Sequence, residues 1–323
     1  MELLRAFREA MARLGVTGKL IATDITEASP AFHKADVGEV VPRVGAAGYV
    51  SALQALVRKH GVGLMVPLTD LDLLALAHHR EALAEMGCTV MVGAEADMKA
   101  CRDKYLAAEL FRRAGVGSIR TCRLREFDDQ PFYPCFAKPA EGSAGIGAAV
   151  IRNEQQLRAH EAAYGEQLIV QELVQGQEFT IDVYRDRRGE VRCVVPRQRL
   201  EVRSGEVAKG VTVKDERLIA DATRLAGHLG SIWGAFCCQC RRPAGGAPRF
   251  FEINPRFGGG SPLSIAAGAD LPLYLLQEVL DLPISAETGR FREDLLMLRY
   301  DESVFVEAKD RGKLPGYEQP DFR

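Results

Sequence analysis

The sequence predicts an α/β protein whose second half changes to an α+β pattern. Helix-forming and strand-forming segments alternate from residue 1 to about residue 93, which is typical of a parallel sheet covered on both faces. Strands with alternating apolar residues follow at Phe179–Tyr184 and Val191–Arg203, and these favour an antiparallel sheet. The chain has 323 residues, enough for two or three domains.

Composition places the chain among ordinary globular proteins. Hydrophobic residues make up 47% of the sequence, charged residues 27%, and the formal net charge is −2. This charge gives no general attraction to nucleic acid or to an anionic membrane, so neither is expected as a partner. No apolar run is long enough to span a bilayer, and the acidic, amphipathic start is unlike a signal peptide. We therefore expect a cytoplasmic protein.

The 8 cysteines fit a reducing compartment. Cys237, Cys238 and Cys240 form a C-C-x-C cluster, but no second Cys or His pair with zinc-like spacing follows. Because the cluster lies in a predicted strand, we interpret it as a group of buried thiols.

The elements of the first part follow from apolar periodicity. Leu3, Phe7, Met11 and Leu14 recur at helical spacing, so the chain starts within a helix. No G-x-G-x-x-G fingerprint is present. The further predicted elements are a strand at Lys19–Asp24, a short strand at Val40–Pro42, a helix at Tyr49–His60, a strand at Val62–Pro67, a helix at Asp70–Met86 with Asp70 as its cap, and a strand at Thr89–Val92.

The second part begins with a helix from Ala96 to Ala114 that breaks near Arg102-Asp103. Between Ile119 and Gln177 the pattern is strand, strand, glycine loop, strand, helix, strand. Beyond the two alternating strands, the predicted elements are a helix at Asp215–Leu229, strands at Phe236–Arg241 and Arg249–Ile253, helices at Ser264–Ala267 and Leu273–Leu280, and strands at Leu295–Tyr300 and Val304–Ala308.

The most informative segment is Phe250–Gly260, which reads F-F-E-I-N-P-R-F-G-G-G. Alternate residues of an extended chain share one face, so Glu252, Asn254 and Arg256 point the same way. Phe251 and Ile253 would then face the core. Two oxygen donors and a fixed cation suit a divalent metal that holds phosphate oxygens, and the glycines permit close approach of a bound group. For a lone E-x-N pattern, a charged strand end before a flexible turn is the simpler interpretation.

Two lysines precede this segment. Lys138 ends a strand in Phe136–Gly147, and the loop of small residues after it exposes backbone N–H groups to phosphate oxygens. The loop is not a Walker A loop, because the lysine precedes the glycines. Lys104 lies at a helix start within Arg102–Tyr105. Each segment alone has a plainer interpretation, a hairpin for the first and a solvated helix charge for the second.

Two further features fit a nucleotide and a metal. In Leu168–Phe179 an apolar strand precedes two acids; extended backbone there can pair with an adenine edge, and a carboxylate can accept from ribose hydroxyls. Gln239 lies on the strand before Glu252, and in an antiparallel pair it reaches the same metal. A plain hairpin and an ordinary strand glutamine are the respective alternatives.

Together these residues, in this order, resemble the ATP-grasp superfamily, most closely the branch similar to the carbamoyl-phosphate synthase large chain. The combination of K-P-x-x-G-S, Q-E-x-x-x-G-x-E-F, Q-C-R and F-E-I-N-P-R-F-G-G-G is specific and covers residues 96 to about 282. The resemblance implies a Rossmann-like pre-ATP-grasp domain at 1–95. It also implies an ATP-grasp domain at 96–285 with a lid at about 116–175, and C-terminal strands at 286–323 that complete it.

Relatives usually open with a strand before the first helix, whereas this chain begins inside that helix. The first domain is therefore expected to lack its opening strand. The resemblance covers only one ATP-grasp half of the synthase, so carbamoyl phosphate synthesis itself is not expected.

The resemblance also implies nucleotide contacts. Lys104 and Lys138 would bind ATP phosphates, the main chain of Glu172 and Val174 would hold adenine, and Glu178 would bind ribose. The lid loop and the neighbouring strand would supply the remaining nucleotide contacts, which are Gly142, Ser143, Gly145, Gly147, Gln171 and Leu173.

By the same resemblance, Gln239, Glu252 and Asn254 would coordinate one or two Mg²⁺ ions, with Mn²⁺ as a substitute. Arg256 would stabilise charge on the transferred γ-phosphoryl group. Residues 258–261 would border the carboxylate substrate.

A basic strand adds a hypothesis about the substrate. Alternation puts Arg197, Arg199 and Arg203 on one face, where like charges repel unless an anion lies nearby. We predict that Arg199 and Lys209 approach the γ-phosphate or the substrate carboxylate and act in catalysis. A solvated strand face is an equally good interpretation of this pattern.

These observations predict an ATP- and Mg²⁺-dependent ligase that joins a carboxylate to an amine through an acyl phosphate. The alternatives are a phosphorylating enzyme of the carboxyphosphate or carbamate type, and a non-catalytic ATP-binding regulatory or complex subunit. The expected partners are small-molecule carboxylate and amine substrates and a second copy in a homodimer.

Overall fold

The computed structural model describes residues 1–142 and 146–307, and it confirms an α/β protein with an antiparallel second half. Ser143 and Gly145 of the predicted nucleotide loop lie outside the described residues, as does the chain after residue 307. Within the described ranges, no helix is long and apolar enough to cross a membrane.

Helices and strands alternate in the first part of the molecule. Two separate parallel pairs stand where one parallel sheet was predicted; Ile21 lies beside Val37 in the first pair and Leu64 beside Thr89 in the second. A helix is the first element of the described chain. These elements are α1 (Glu2–Leu14), β1 (Ile21–Asp24), α2 (Pro30–Lys34), β2 (Val37–Val40), α3 (Tyr49–His60), β3 (Leu64–Met65), α4 (Leu73–Glu85) and β4 (Thr89–Val90).

The second part contains two antiparallel sheets. The elements are α5 (Glu95–Arg102), α6 (Lys104–Arg113), β5 (Thr121–Arg123), α7 (Leu124–Asp129), β6 (Cys135–Pro139), β7 (Ala149–Ile151), α8 (Glu154–Tyr164), β8 (Leu168–Glu172), β9 (Gln177–Arg185), β10 (Val191–Arg203), β11 (Glu206–Thr212), α9 (Glu216–Ala226), β12 (Gly234–Arg242), β13 (Arg249–Asn254), α10 (Ser261–Ala266), α11 (Leu271–Val279) and β14 (Leu296–Leu298). The smaller sheet has the order β5-β8-β6-β7, and the larger has the order β13-β12-β9-β10-β11-β14.

The helix break predicted near Arg102-Asp103 is confirmed. Asp103 separates α5 from α6, and its carboxylate accepts hydrogen bonds from the N–H groups of Tyr105 (2.8 Å) and Leu106 (3.2 Å). Such a cap satisfies donors that the first turn of a helix leaves free. The capped turn fixes Lys104 as the first residue of α6.

The centre of the larger sheet is buried on both faces. On one face Val183 packs with Phe111 of α6 and Leu225 of α9. On the other, Tyr184 belongs to a core that includes Phe7 of α1. Neighbouring residues of β9 thus serve opposite cores, as the alternation of a strand requires.

All eight cysteines are free and buried, which confirms the interpretation as buried thiols. Burial raises the pKa of Cys237 to about 12, so this thiol is protonated at neutral pH and is a poor metal ligand.

Several predicted elements are wrong in detail, and three of them show the largest differences. The helix predicted from Asp70 begins at Leu73, with Asp72 as its N-cap residue, and the Asp70 side chain accepts from Arg256 instead. The strand predicted at Val40–Pro42 ends at Val40. The described part of the predicted strand at Val304–Ala308 is not a strand, and Phe305 there is 93% exposed. An exposed segment without a neighbouring strand has no partner for its backbone groups.

Candidate active site

The two antiparallel sheets and one loop of the first part enclose a cleft of ≈ 1040 Å³. The smaller sheet contributes residues of β6 and β8, and the larger sheet contributes residues of β9, β10, β12 and β13. Of the residues predicted for the site and described by the structure, those lining this cleft are Lys104, Lys138, Gly142, Gln171, Glu172, Leu173, Val174, Glu178, Arg199, Gln239, Glu252, Asn254, Arg256, Gly258, Gly259 and Ser261. The fold therefore gathers most of the predicted site into one cavity.

The predicted metal ligands lie on neighbouring strands. Gln239 of β12 stands opposite Glu252 of β13, and Asn254 stands opposite Cys237. In the amide orientation that gives both its N–H and its oxygen a hydrogen-bond partner, Gln239 donates to Glu252 Oε2 at 3.3 Å and accepts from Arg199 Nη1 at 3.3 Å. The antiparallel pairing thus brings Gln239 next to Glu252, as the sequence predicted.

The donor set is one carboxylate and two amide groups. No cluster of three or more His, Cys, Asp or Glu residues able to hold a metal occurs in the described ranges. Hard divalent cations with few protein carboxylates complete their coordination with water and substrate phosphate oxygens, as Mg²⁺ commonly does. Glu252, Gln239 and Asn254 fit a Mg²⁺ ion that arrives with a phosphorylated substrate.

Phe251 lies in the cleft, although strand alternation predicted it to face the core. The β12–β13 register is irregular between Gln239 and Cys240, so that Gln239 pairs with Glu252 but Cys240 pairs with Phe250. Such a β-bulge places one extra residue on the strand and re-aims side chains. Phe251 consequently lines the cleft, with its ring centre 5.6 Å from Lys138 Nζ.

The two predicted phosphate-binding lysines occupy different positions. Lys104 Nζ donates to the carbonyl of Gly142 at 2.9 Å, so this lysine holds the start of the loop after β6. Lys138 projects between the rings of Phe136 and Phe251. Burial lowers the pKa of Lys138 to about 8, although the nearby Glu252 carboxylate raises it. A cation held in so apolar a place gains strongly from an anionic ligand.

Arg199 is a second incompletely paired cation. Its side chain is only 8% exposed, and Nη2 donates to the carbonyl of Gly205 at 2.8 Å. Nε lies 3.3 Å from Glu178 Oε1, but it is buried without a hydrogen-bond partner in the described structure. A buried donor without a partner is costly, so this atom fits a site that an anion completes.

The three arginines predicted on one face of β10 are separated. Arg197 is buried and paired with Asp182 at 2.8 and 2.9 Å. The register of β10 shifts after Arg199, and Arg203 turns outward to the carbonyl of Arg299. The single-face prediction is therefore wrong for Arg203, because the register shifts after Arg199 interrupt the alternation, whereas no register shift separates Arg197 from Arg199.

Lys209 is not among the residues that line the cleft. Its Nζ pairs with Glu201 at 2.6 Å on the exposed surface of the larger sheet. Its predicted catalytic role has no geometric support and stays a prediction.

At the opposite end of the cleft, residues 171–174 border an apolar wall that includes Ile119 and Phe136. The Gln171 side chain donates to Thr121 at 2.9 Å, and the Glu172 carboxylate pairs with Arg249. Two main-chain groups are engaged as well: the Glu172 N–H donates to the Arg120 carbonyl at 3.0 Å, and the Val174 carbonyl accepts from Arg241 Nη1 at 3.2 Å. An apolar wall beside the remaining main-chain groups suits the edge of a purine base.

Glu178 of β9 also lines the cleft. Its carboxylate pairs with Arg241 at 2.7 Å and also lies near Arg199.

Gly147, predicted in the nucleotide loop, has φ 71° and is packed so tightly that a Cβ would lie 2.8 Å from Tyr164 and 2.9 Å from Pro139. Gly147 thus anchors the end of the loop and is not one of the cleft-lining residues.

The charged cleft residues that sequence reasoning missed include Glu2, Asp70, Glu206 and Arg299. Each lies outside the motif segments, in the first part of the chain, at the start of β11, or after β14.

The glycines at 258–260 also have an unexpected role. A Cβ on Gly260 would lie 2.3 Å from Arg197 Nη1, and one on Gly259 would lie 2.0 Å from Glu206 Oε2. These glycines make room for protein side chains.

The cleft thus combines a strand pair that carries oxygen donors, two incompletely paired cations and an apolar wall, a combination that suits nucleotide-dependent phosphoryl transfer. Three family descriptions match the sequence. Residues 165–302 match "ATP-grasp in the biosynthetic pathway with Ter operon", residues 1–91 match "PylC-like, N-terminal domain", and residues 106–202 match "D-ala D-ala ligase C-terminus". The chain belongs to the ATP-grasp superfamily of ligases, which confirms the predicted resemblance at that level.

Solved structures agree on the fold. Biotin carboxylase from Campylobacter jejuni, in a beta-gamma-ATP complex, has a TM-score of 0.74 and 16% identity over 91% of this chain and 72% of its own. The biotin carboxylase domain dimer of 2-oxoglutarate carboxylase from Hydrogenobacter thermophilus, with MgADP and bicarbonate, has a TM-score of 0.74 and 18% identity over 91% and 71%.

A third structure is N5-carboxyaminoimidazole ribonucleotide synthetase from Thermus thermophilus, with a TM-score of 0.70 and 18% identity over 90% of this chain and 79% of its own. No curated protein matches the sequence significantly. The more specific likeness to the carbamoyl-phosphate synthase branch stays a prediction.

Proposed function

We propose that the protein is an ATP- and Mg²⁺-dependent ligase that joins a carboxylate to an amine through an acyl phosphate. One observation carries this proposal: Glu252, Gln239 and Asn254 share one cleft with Lys138, Arg199 and Arg256. Metal ligands, phosphate-facing cations and a fixed guanidinium together are what transfer of a γ-phosphoryl group needs.

The chemistry follows from the weakness of a carboxylate as an electrophile. Transfer of the γ-phosphoryl group of ATP to a carboxylate oxygen releases ADP and gives an acyl phosphate, whose phosphate is a good leaving group. The amine nitrogen then attacks the acyl carbon; the C–N bond forms, the C–O bond to phosphate breaks, and the amine loses its proton. Phosphoryl transfer depends on positioning and charge neutralisation more than on a protein nucleophile.

Six of the cleft residues have specific roles in this scheme. Lys138 and Arg199 bind the triphosphate oxygens, Glu172 and Val174 present main-chain groups to adenine, and Glu178 faces the ribose. When bound, Mg²⁺ neutralises charge on the phosphate oxygens, and the oxygen donor set also accepts Mn²⁺. Arg256 stabilises the charge that builds up on the transferred group.

The acceptor end of the cleft is built by Asp70, Glu206, Arg256 and Arg299 together with the Gly258–Gly259 backbone. Acidic and basic side chains are both present there, and the basic ones suit a small substrate with a carboxylate. Two solved structures of similar fold are named as carboxylating enzymes or their domains, so bicarbonate belongs among the carboxylates to be tested.

The test measures ADP release from MgATP with pools of carboxylates, with bicarbonate as a separate pool, and with hydroxylamine or an amine pool as the acceptor. Hydroxylamine converts an acyl phosphate into a hydroxamate without a specific amine. Glu252→Gln serves as the inactive variant, and Glu201→Gln as a matched control on an exposed strand position of the same sheet.

Carboxylate-dependent release by wild type and Glu201→Gln, but not by Glu252→Gln, is the expected result. ATP binding without turnover in any pool would refute the ligase and favour the regulatory subunit. The domain boundaries at 1–95, 96–285 and 286–323, the homodimer and the cytoplasmic location stay predictions from the sequence.

A further inference from the structure

Arg256 is held by a residue from the first part of the chain. Its Nε donates to Asp70 Oδ1 at 2.9 Å and its Nη2 to Asp70 Oδ2 at 2.7 Å. Asp70 lies in the loop between β3 and α4, and both side chains line the cleft, with 20% of Asp70 and 16% of Arg256 exposed. A two-point contact of this kind fixes the plane of a guanidinium as well as its position.

The pairing leaves part of the guanidinium free. An arginine has five N–H donors. Two bind Asp70 and a third, on Nη1, binds the carbonyl of Phe257 at 3.1 Å, so two N–H groups have no partner among the residues that the structure describes. Asp70 therefore orients Arg256 and still leaves donors for the oxygens of a transferred phosphoryl group.

Asp70 is itself anchored to the nucleotide loop. Arg102 Nη1 donates to the backbone carbonyl of Asp70 at 3.0 Å, and Arg102 Nε donates to Glu141 Oε2 at 3.0 Å. Glu141 precedes Gly142, the loop residue that Lys104 contacts. A continuous series of contacts thus joins the start of the nucleotide loop to Arg256.

We infer that Asp70 is a positioning residue for phosphoryl transfer, which holds the Arg256 guanidinium in its active orientation without touching the nucleotide. The inference rests on the proposed function. It assigns the first part of the chain a role in the phosphoryl-transfer step in addition to forming the cleft wall.

The physical reason is preorganisation. An unrestrained arginine side chain samples many rotamers and must be ordered in the transition state, whereas a paired one is already oriented. The opposite role makes a different prediction: a carboxylate on Arg256 would compete with phosphate, and its removal would then accelerate the reaction. The two roles therefore predict opposite changes in rate.

The experiment compares Asp70→Ala, Asp70→Asn and Asp70→Glu with wild type. Asp72→Asn is the matched control, because Asp72 lies two residues away and bonds to Thr69 and Tyr49, remote from Arg256. The readouts are the hydroxamate formation rate at saturating MgATP and carboxylate, MgADP affinity by calorimetry, and melting temperature.

We expect Asp70→Ala to slow hydroxamate formation about 10²-fold, as misplacement of a catalytic group does, with MgADP affinity unchanged within about twofold. Asp70→Glu restores part of the rate because it keeps a carboxylate. In an Arg256→Lys background, which lacks the guanidinium fork, Asp70→Ala slows the reaction by less than about threefold, since the two residues act together.

Three results would overturn the inference: a rate that is unchanged or higher in Asp70→Ala, losses that multiply in the Arg256→Lys background, or equal rate losses in Asp72→Asn. A failure of the proposed function looks different, because wild type itself would then form no hydroxamate with any carboxylate. In that case the inference falls with the function on which it rests.

Discussion

Two carboxylate–arginine pairs flank the Gly258–Gly260 loop, and they differ in how much of each pair is exposed. On the core side, Asp182 and Arg197 are each 1% exposed, and Asp182 also accepts from Ser264 Oγ at 2.5 Å. On the cleft side, Asp70 and Arg256 remain partly open to the cavity.

The cleft-side charges are incompletely satisfied in a consistent way. Arg199 has a buried Nε without a partner in the described structure, and the pKa of Lys138 is lowered because burial removes its solvent. Charges on the core side stabilise the fold, and charges on the cleft side leave bonding capacity for a ligand. The core side should therefore respond to mutation in stability, and the cleft side in binding and rate.

The largest effect is expected from Asp182→Ala, which leaves Arg197 buried without a counter-charge. We expect the free energy of unfolding to fall by about 3–5 kcal/mol, and the loss to be the same with and without MgATP. Urea unfolding measures it, with Asp70→Asn as the cleft-side comparison at a loss below about 1 kcal/mol. An Asp182→Ala protein as stable as wild type would remove the distinction between the two pairs.

The glycines of the loop give the next largest effect. A Cβ at residue 260 meets Arg197 Nη1, which is locked in the core, whereas a Cβ at residue 259 meets the exposed end of Glu206. Gly260→Ala is expected to cost about 1–3 kcal/mol by overpacking, and Gly259→Ala less than about 1 kcal/mol. Equal urea midpoints for the two variants would contradict the idea that exposed Glu206 can move aside and buried Arg197 cannot.

On the cleft side, Arg199 and Lys209 provide a matched pair. Arg199→Ala is expected to weaken MgATP binding about tenfold, because it removes charge-assisted hydrogen bonds to phosphate. Lys209→Ala is expected to change binding less than about twofold, since Lys209 pairs with exposed Glu201 outside the cleft. Calorimetry compares them, and a larger loss in Lys209→Ala would restore the role predicted from the sequence.

The smallest expected effect is the uptake of protons that accompanies MgATP binding. The pKa of Lys138 is lowered to about 8, so near pH 8 this lysine is half neutral without ligand, and phosphate oxygens favour its protonated form. MgATP binding should take up about half a proton at pH 8 and almost none at pH 6, with affinity falling as the pH rises above 8. Calorimetry in two buffers of different ionisation enthalpy measures this uptake, and Lys138→Arg should abolish it.

The same lowered pKa affects stability with a defined sign. The unfolded lysine has its ordinary pKa of 10.5 and binds more protons than the folded one between about pH 8 and that value. The contribution of Lys138 to stability therefore increases as the pH rises through this window, opposite to its effect on ligand affinity.

Local spacing was enough to predict much of the site. Glu252, Asn254 and Arg256 follow one another at intervals of two on or just after a strand, and all three line the cleft. Gln239 was placed opposite Glu252 by the rule of antiparallel pairing. These predictions succeeded because the period of an extended chain is fixed by covalent geometry and needs no knowledge of the rest of the fold.

Only the tertiary structure decided which partner each charge has. Arg197 and Arg199 lie two positions apart on the same strand, so strand alternation treats them alike. Arg197 nevertheless pairs with Asp182 in the core, whereas Arg199 faces the cleft. Asp70 was predicted as a helix cap, and it binds an arginine 186 positions away along the chain. The bulge that turns Phe251 into the cleft depends on how β13 pairs with β12. Burial and long-range pairing arise from packing between elements, and a sequence window contains no information about the element that packs against it.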